Sequence, residues 1–500
     1  MSISLLLEMA ATEIPDQLAV VDGDTRWTVS DLTRLADGGA SVVAASGAQH
    51  VAYIGMGGPM LPLLLFASAR AAVPFCPLNY RLSSEALKEL LGRLATPLVI
   101  VDKQYRDMIG ADVGAEVLSS EEFLRRADIA EPVAVVADHD SVAVVLFTSG
   151  TTARPKAVEL SHDNLVSYVT GTVEFSSASP LDAALVCVPP YHIAGVGAAL
   201  SNIYAGRRLV YLPSFDPRAW IRLVEQEKIT SATVVPTMLD RIISVLESEP
   251  AELVSLRTLA YGGSRVPLPL VRKALGLLPH VGFVNAYGLT ETSSTVAVLT
   301  PEDHWAALSA ADEAAVQRLG SVGRPVPGIE VQIRDDGGRP LPAGTTGEMF
   351  LRGPQVSGRY AEIGSVLDSE GWFPTRDLAF QDADGYLFVR GRSDDTIIRG
   401  GENIAPAELE DVLVEHPSVA QVAVVGADDD EWGQIIVAVV VPAAGASPSE
   451  DEMREWVRGR LRGSRTPDRI VFRDELPVSP TGKILRRDLV QQLNSSPARA

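Results

Sequence analysis

Between Val142 and Tyr287 short apolar runs alternate with segments of helical period, and this alternation limits the folds open to the chain. "SVAVVLF", "ALVCVPP", "SATVVP", "TLAYGG" and "VGFVNAY" are continuous apolar runs of strand length, as expected for strands buried on both faces. Between them, "HDNLVSYVTGTV", "DPRAWIRLVEQEKI" and "TMLDRIISVLESE" repeat their apolar residues every three or four positions. Strand–helix–strand order calls for parallel sheets covered by helices, and such sheets hold ligands at the carboxyl ends of their strands. The stretch "LFTSGTTARPKAVELSH", residues 146–162, follows one such strand and precedes a helix that Ser161 or Asp163 caps. It sets the hydroxyls of Thr148, Ser149, Thr151 and Thr152 around Gly150 and Lys156, a composition suited to an anion. The nucleotide loop G-x-x-x-x-G-K-[ST] does not fit, because Gly150 stands alone and Lys156 comes too late.

A βα region over roughly residues 20–110 belongs to the same large domain on this reading. After residue 320 the texture changes: "GRPVPGIEVQIRD", "GEMFLRG" and "DGYLFVRGR" are short, glycine-punctuated and β-like, predicting a small barrel or meander. The charged, glycine-rich "GRSDDTIIRGGENIAP" then leads into a compact α+β pattern. The expected organisation is a large domain over 1–392, a hinge at 393–395 and a small domain over 396–500.

With 500 residues the chain exceeds a single core, in keeping with that division. A net charge of −21 argues against nonspecific binding to nucleic acid or to an anionic membrane. An anion-binding chain of this charge must therefore gather its cations locally. Cys76 and Cys187 lie in apolar runs without metal-ligand spacing and are expected as buried free thiols. The N-terminus lacks a basic stretch before its apolar residues, and the run Met56–Phe75 is broken by glycines, prolines and Arg70. The expectation is a cytoplasmic protein without an integral membrane segment. The oligomeric state stays open, a homodimer included.

Each remaining motif, taken singly, has a plain structural reading. "TSGTTARPK" is then a solvated turn, and "NAYGLTETSS" a strand end whose Thr290 or Thr292 caps a helix. "FPTRD" with "VRGRSDD" reads as a salt-bridged surface, and "SPTGKILRRDL" as a turn before an amphipathic helix. In this order and at these separations, however, the motifs resemble the adenylate-forming superfamily of acyl-CoA synthetases, peptide-synthetase adenylation domains and firefly-type luciferases. The resemblance covers nearly the whole chain. It implies an α/β fold: a large N-terminal domain of two βαβ-type sheets plus a small β-barrel, hinged to a small α+β C-terminal domain.

The resemblance also implies roles. Residues 148–156, namely Thr148, Ser149, Gly150, Thr151, Thr152 and Lys156, would cradle the β- and γ-phosphates of ATP. Asn285, Ala286 and Tyr287 match the adenine pocket, and Gly263, Ser264 and Gly288 fall in the same nucleotide site. Thr290 matches the α-phosphate contact, and Glu291, with Thr151, the group that orients Mg²⁺. Asp377 and Arg392 match the ribose contacts, and Lys483 the lysine that bridges carboxylate and α-phosphate. Gly400 and Gly401 match a strand along which the pantetheine arm of coenzyme A passes, Arg81 a contact to its phosphates, and Asp394 the hinge residue. His192, Met238, Gly262 and Gly263 match the acyl pocket. His192 is counted with Lys483, Thr290 and Glu291 as catalytic, although a core histidine is the plain alternative.

The implied activity is an ATP-dependent acyl-CoA synthetase that forms acyl-AMP and pyrophosphate, then acyl-CoA and AMP, by domain alternation. Its partners would be a small carboxylic acid, ATP and coenzyme A. No cation is aimed into the pocket for a second carboxylate, so an apolar fatty or aromatic acid is expected. The alternatives are an acyl-AMP ligase that loads a carrier protein and a noncatalytic nucleotide-binding relative. Three positions depart from the family text: Ala153 and Ala157 stand where glycine is common, and Arg376 where glycine precedes Asp377.

Overall fold

The structure, a computed structural model, describes residues 1–110, 114–132, 138–148, 154–399, 402–429, 432–461, 463–479 and 484–495. Among them, a nine-stranded sheet runs through the strands expected between Ala183 and Leu289. Leu18–Asp22, Arg208–Tyr211, Ala183–Val186, Ser231–Val234, Thr258–Gly262 and Gly282–Leu289 are parallel neighbours in that order. Antiparallel strands close both edges. Ala183–Val186 is buried along its whole length, the reason its text shows no alternation. A second sheet, of eight strands, carries Val142–Thr148 beside the βα region that begins the chain, and pairs that strand antiparallel with Lys156–Ser161.

Local signals set the helix starts. The Ser161 side chain accepts from the Asn164 N–H while the Asn164 side chain reaches back to Ser161, a reciprocal cap that begins His162–Thr172. Asp216 caps Pro217–Gln226 through the Ala219 N–H. Where a barrel or meander is expected, Glu330–Arg334, Gly347–Arg352, Phe373–Gln381 and Leu387–Arg392 form a four-stranded antiparallel sheet. Its core, with Met349, Leu351 and Phe373, packs on Val296 and Ala297 of the nine-stranded sheet.

Beyond the short turn Ser393–Asp395, a hairpin pairs Ile397–Arg399 with Glu402–Ile404. A three-stranded sheet follows, of Val419–Asp429, Gly433–Pro442 and Arg469–Phe472. Its alternation separates two faces. Val422, Val424, Ile436, Ala438 and Val440 meet the helix Pro406–Val414 through Leu409 and Leu413, together with Ile397 and Ile404 of the hairpin. Ala423, Val425, Val437 and Val439 meet Leu476, Ile484 and Leu489 instead. Among the described residues, no helix is long and apolar enough to cross a membrane.

Candidate active site

The strand Lys156–Ser161 and the turn after Gly282–Leu289 are joined by a segment that sequence reasoning did not single out, residues 355–360. Gly282–Leu289 runs into a single 3-10 turn, Thr290–Thr292, rather than a capped helix. The Thr292 hydroxyl accepts from the Leu289 N–H at 3.0 Å, so it closes this turn, as the plain reading of "NAYGLTETSS" anticipates in part. Ser293 and Ser294 then take positive φ, 55° and 108°, a conformation that needs outside support. Gln355 supplies it: its buried side-chain amide donates to the carbonyls of Thr292 and Thr295 at 3.0 and 2.8 Å, and its own carbonyl accepts from the Ser293 hydroxyl. Ser357 and Gly358 donate their N–H groups to the Glu291 carbonyl. The Tyr360 hydroxyl donates to the Glu291 carboxylate at 2.9 Å, and burial followed by that neighbouring charge pushes the phenol upward, so it keeps its proton.

Tyr360 serves a second neighbour. The Lys156 ammonium stands 5.2 Å from the centre of its ring, so one aromatic residue joins the lysine that begins Lys156–Ser161 to the acid that follows Gly282–Leu289. Thr148 and Lys156 face each other across the ladder, with the Thr148 hydroxyl 3.5 Å from the Lys156 carbonyl. Arg93 holds the turn by donating to the Pro155 carbonyl at 2.8 Å. Ser149, Gly150, Thr151 and Thr152, and with them Ala153, lie outside the described residues. Ala157, which stands where glycine is common, lies within the strand Lys156–Ser161 without positive φ, so alanine meets no strain there.

Asp377 is buried in the middle of the Phe373–Gln381 strand, opposite Arg392 in the ladder. It accepts from Arg392 Nη1 at 3.1 Å and from the Tyr287 hydroxyl. Burial, with the Asp377 charge added, raises Tyr287 far above the usual phenol range, so Tyr287 remains the donor. Asn285 donates its amide to the Ser321 carbonyl at 3.0 Å. Ala286 sits beside Gly262 in the ladder, where a Cβ on Gly262 would collide with the Ala286 carbonyl. A Cβ on Gly288 would strike the carbonyl of Ser294, so both glycines are demanded by close backbone approach. Gly263, at φ 84°, turns the chain toward Ser264 and Arg265. Arg376 also has positive φ, 64°, and its Nε lies 3.9 Å from Glu348.

His192 is the N-cap residue of the helix Ile193–Ala205, its ring 4.6 Å from that of Tyr191. Tyr191 packs edge-on to Tyr80, and Arg81 lies over the Tyr80 ring at 5.6 Å, so Arg81 and His192 stand at two ends of one aromatic cluster. Met238 is buried on Pro236–Ser248 with its sulfur 3.9 Å from Cys187 Sγ. Asp394 lies in the Ser393–Asp395 turn. Gly400, Gly401 and Lys483 lie outside the described residues.

The donor set fits a hard divalent cation shared with substrate phosphates. Such an ion takes one or two carboxylates from the protein, and Glu291 is held in place from three backbone and side-chain directions. Among the described residues, the grouping of three candidate metal ligands is Asp138, His139 and Asp140, an exposed turn before Val142 and no part of this constellation.

These features define a nucleotide-binding α/β enzyme, and comparison places it. Residues 7–361 match the AMP-binding enzyme family and residues 408–483 the AMP-binding enzyme C-terminal domain; the chain belongs to this family. It is similar to the indoleacetate–CoA ligase of Aromatoleum aromaticum, at 34% identity over 99% of this chain and 98% of that one. It is also similar to a feruloyl-CoA synthase of an Amycolatopsis species, at 36% identity over 95% and 96%. Among solved structures, ATP-bound MatB from Rhodopseudomonas palustris superposes with a TM-score of 0.88 at 26% identity, covering 99% of both chains.

Proposed function

We propose that this chain is an ATP-dependent acid–CoA ligase acting on an apolar aromatic acid. The supporting observation is the juxtaposition of Asp377, held between Tyr287 and Arg392, with the Lys156–Tyr360–Glu291 chain. A buried, doubly held carboxylate suits a pair of ribose hydroxyls, and a cation beside a fixed carboxylate suits phosphates with their magnesium.

In the first half-reaction, a carboxylate oxygen attacks the α-phosphorus of ATP and the bond to pyrophosphate breaks. Bound magnesium supplies charge neutralisation to the phosphates. The residues carry positioning and electrostatics: Lys156 and Lys483 toward the phosphates, Thr290 toward the α-phosphate, Asn285 and Tyr287 at the base. In the second, the sulfur of coenzyme A attacks the acyl carbon, loses its proton, and AMP leaves. The turn Ser393–Asp395 acts as the hinge between the two, with residues 1–392 and 396–500 as the bodies it joins. Acid choice rests on His192, Met238 and Gly262. The two ligases named above are an indoleacetate and a feruloyl enzyme, which favours an aromatic acid over a fatty one. Buried free thiols at Cys76 and Cys187 accord with a reducing compartment, the cytoplasm.

The test is a panel of aryl and fatty acids scored for pyrophosphate release with and without CoA, with the product identified by mass. A thioester from an aryl acid is expected. Adenylate without any thioester would reject the CoA step and favour delivery to a carrier protein.

A further inference from the structure

The segment after the hinge is joined to the rest of the molecule by charge rather than by apolar packing. Among the described residues, no hydrophobic cluster crosses the turn Ser393–Asp395: one set ends at Val389 and the other begins at Ile397. A joint without an apolar seam has its orientation decided by few polar contacts. One such contact is made by Arg265, just beyond Gly263 and Ser264 in the chain. Its Nη1 donates to the Ala407 carbonyl at 3.1 Å and its Nη2 pairs with the Asp411 carboxylate, both on the helix Pro406–Val414. Arg390, packed on the Phe380 ring, adds a second cation facing Asp411 and Glu408.

The pair also selects a face. Pro406–Val414 and the hairpin strands Ile397–Arg399 and Glu402–Ile404, through Ile397 and Ile404, share one side of the three-stranded sheet, while Leu476 and Ile484 pack on the other. Fixing Ala407 at Arg265 therefore turns the hairpin side toward the nucleotide site.

We propose that the Arg265–Asp411 pair is a latch that holds the domain orientation used for thioester formation, making Arg265 a positioning residue for the CoA step. This inference rests on the ligase reading above. Both side chains are partly exposed, so each is replaceable without unfolding the chain.

The experiment compares wild type, Asp411→Asn, Arg265→Gln and the reversed pair Arg265→Asp/Asp411→Arg in the two half-reactions. Conversion of supplied acyl-adenylate to thioester is expected to fall by up to about fivefold in the single variants, the shift an ion pair of this exposure imposes on a two-state joint. CoA-independent pyrophosphate exchange holds or rises, and the reversed pair restores thioester formation. Spin labels at Val254→Cys and Glu415→Cys, both exposed, give an independent readout, since Cys76 and Cys187 are buried. The distance distribution should broaden in Asp411→Asn and narrow again in the reversed pair. An unchanged distribution, equal losses in both half-reactions, or no restoration by the reversed pair would overturn the latch. A wild type that forms adenylate but no thioester would instead refute the ligase reading, with the latch still decided by the distances.

Discussion

Arg376 shows how a single residue resists reading from sequence. Its position beside Asp377 marks it as a departure from the family text, but its cost appears only in the backbone, at φ 64°. A non-glycine residue there costs about 1–2 kcal/mol. Glycine relieves that strain but gives back about 0.4–1 kcal/mol through a freer unfolded chain. The guanidinium's approach to Glu348, at 3.9 Å on an exposed side chain, adds little. Arg376→Gly is therefore expected to stabilise the protein by about 1 kcal/mol or less, read as a higher urea midpoint with unchanged slope. A lower midpoint would show that the guanidinium does more than its surroundings suggest. Asp377 and Arg392 were singled out by resemblance to the family's ribose contacts, and the ladder sets the two opposite each other. Tyr360 and Gln355 were not: each acts on residues sixty or more positions away, and "GRY" and "PQV" read locally as surface turn.

At the scale of one element, His162–Thr172 was legible in extent, period and cap. Its burial was not. His162 is covered by the start of the chain, and its Nδ1 accepts from the Ile3 N–H at 3.2 Å, which requires a neutral ring. Burial, with the charge of the N-terminal amine added, lowers its pKa from 6.5 to about 4. Below pH 6.5 the unfolded chain binds a proton that the folded one refuses, so stability falls as pH drops from 6.5 to about 4. The full loss is about 3 kcal/mol. Unfolding midpoints measured across that window should decline in wild type and decline less in His162→Gln. Parallel profiles would place the acid sensitivity elsewhere.

For the whole molecule, the separation of the hydrophobic clusters at the turn Ser393–Asp395 has a direct consequence. Residues 1–392 contain every cluster around the nucleotide constellation, with their cores closed before the turn Ser393–Asp395. A chain truncated after Arg392 is expected to fold, and to be stabilised by ATP by about 2.7 kcal/mol at a hundredfold excess over the dissociation constant. It should produce neither adenylate nor thioester at a useful rate. Calorimetric unfolding with and without ATP, beside a pyrophosphate assay, measures both. A truncated chain that fails to fold would show that the joint carries more packing than its clusters indicate.

The linear chain by itself determined the parallel strands, the cap at Ser161, the change of its text after residue 320 and the family. These follow from periodicity, local capping and motif order, which act over a few neighbouring residues or need no geometry at all. Tertiary structure alone decided that Gln355 and Tyr360 brace Glu291, that His162 is sealed beneath Ile3, and that Arg265 meets Asp411. Each of these is a contact between residues far apart in the chain, and its energy depends on which surfaces packing brings together.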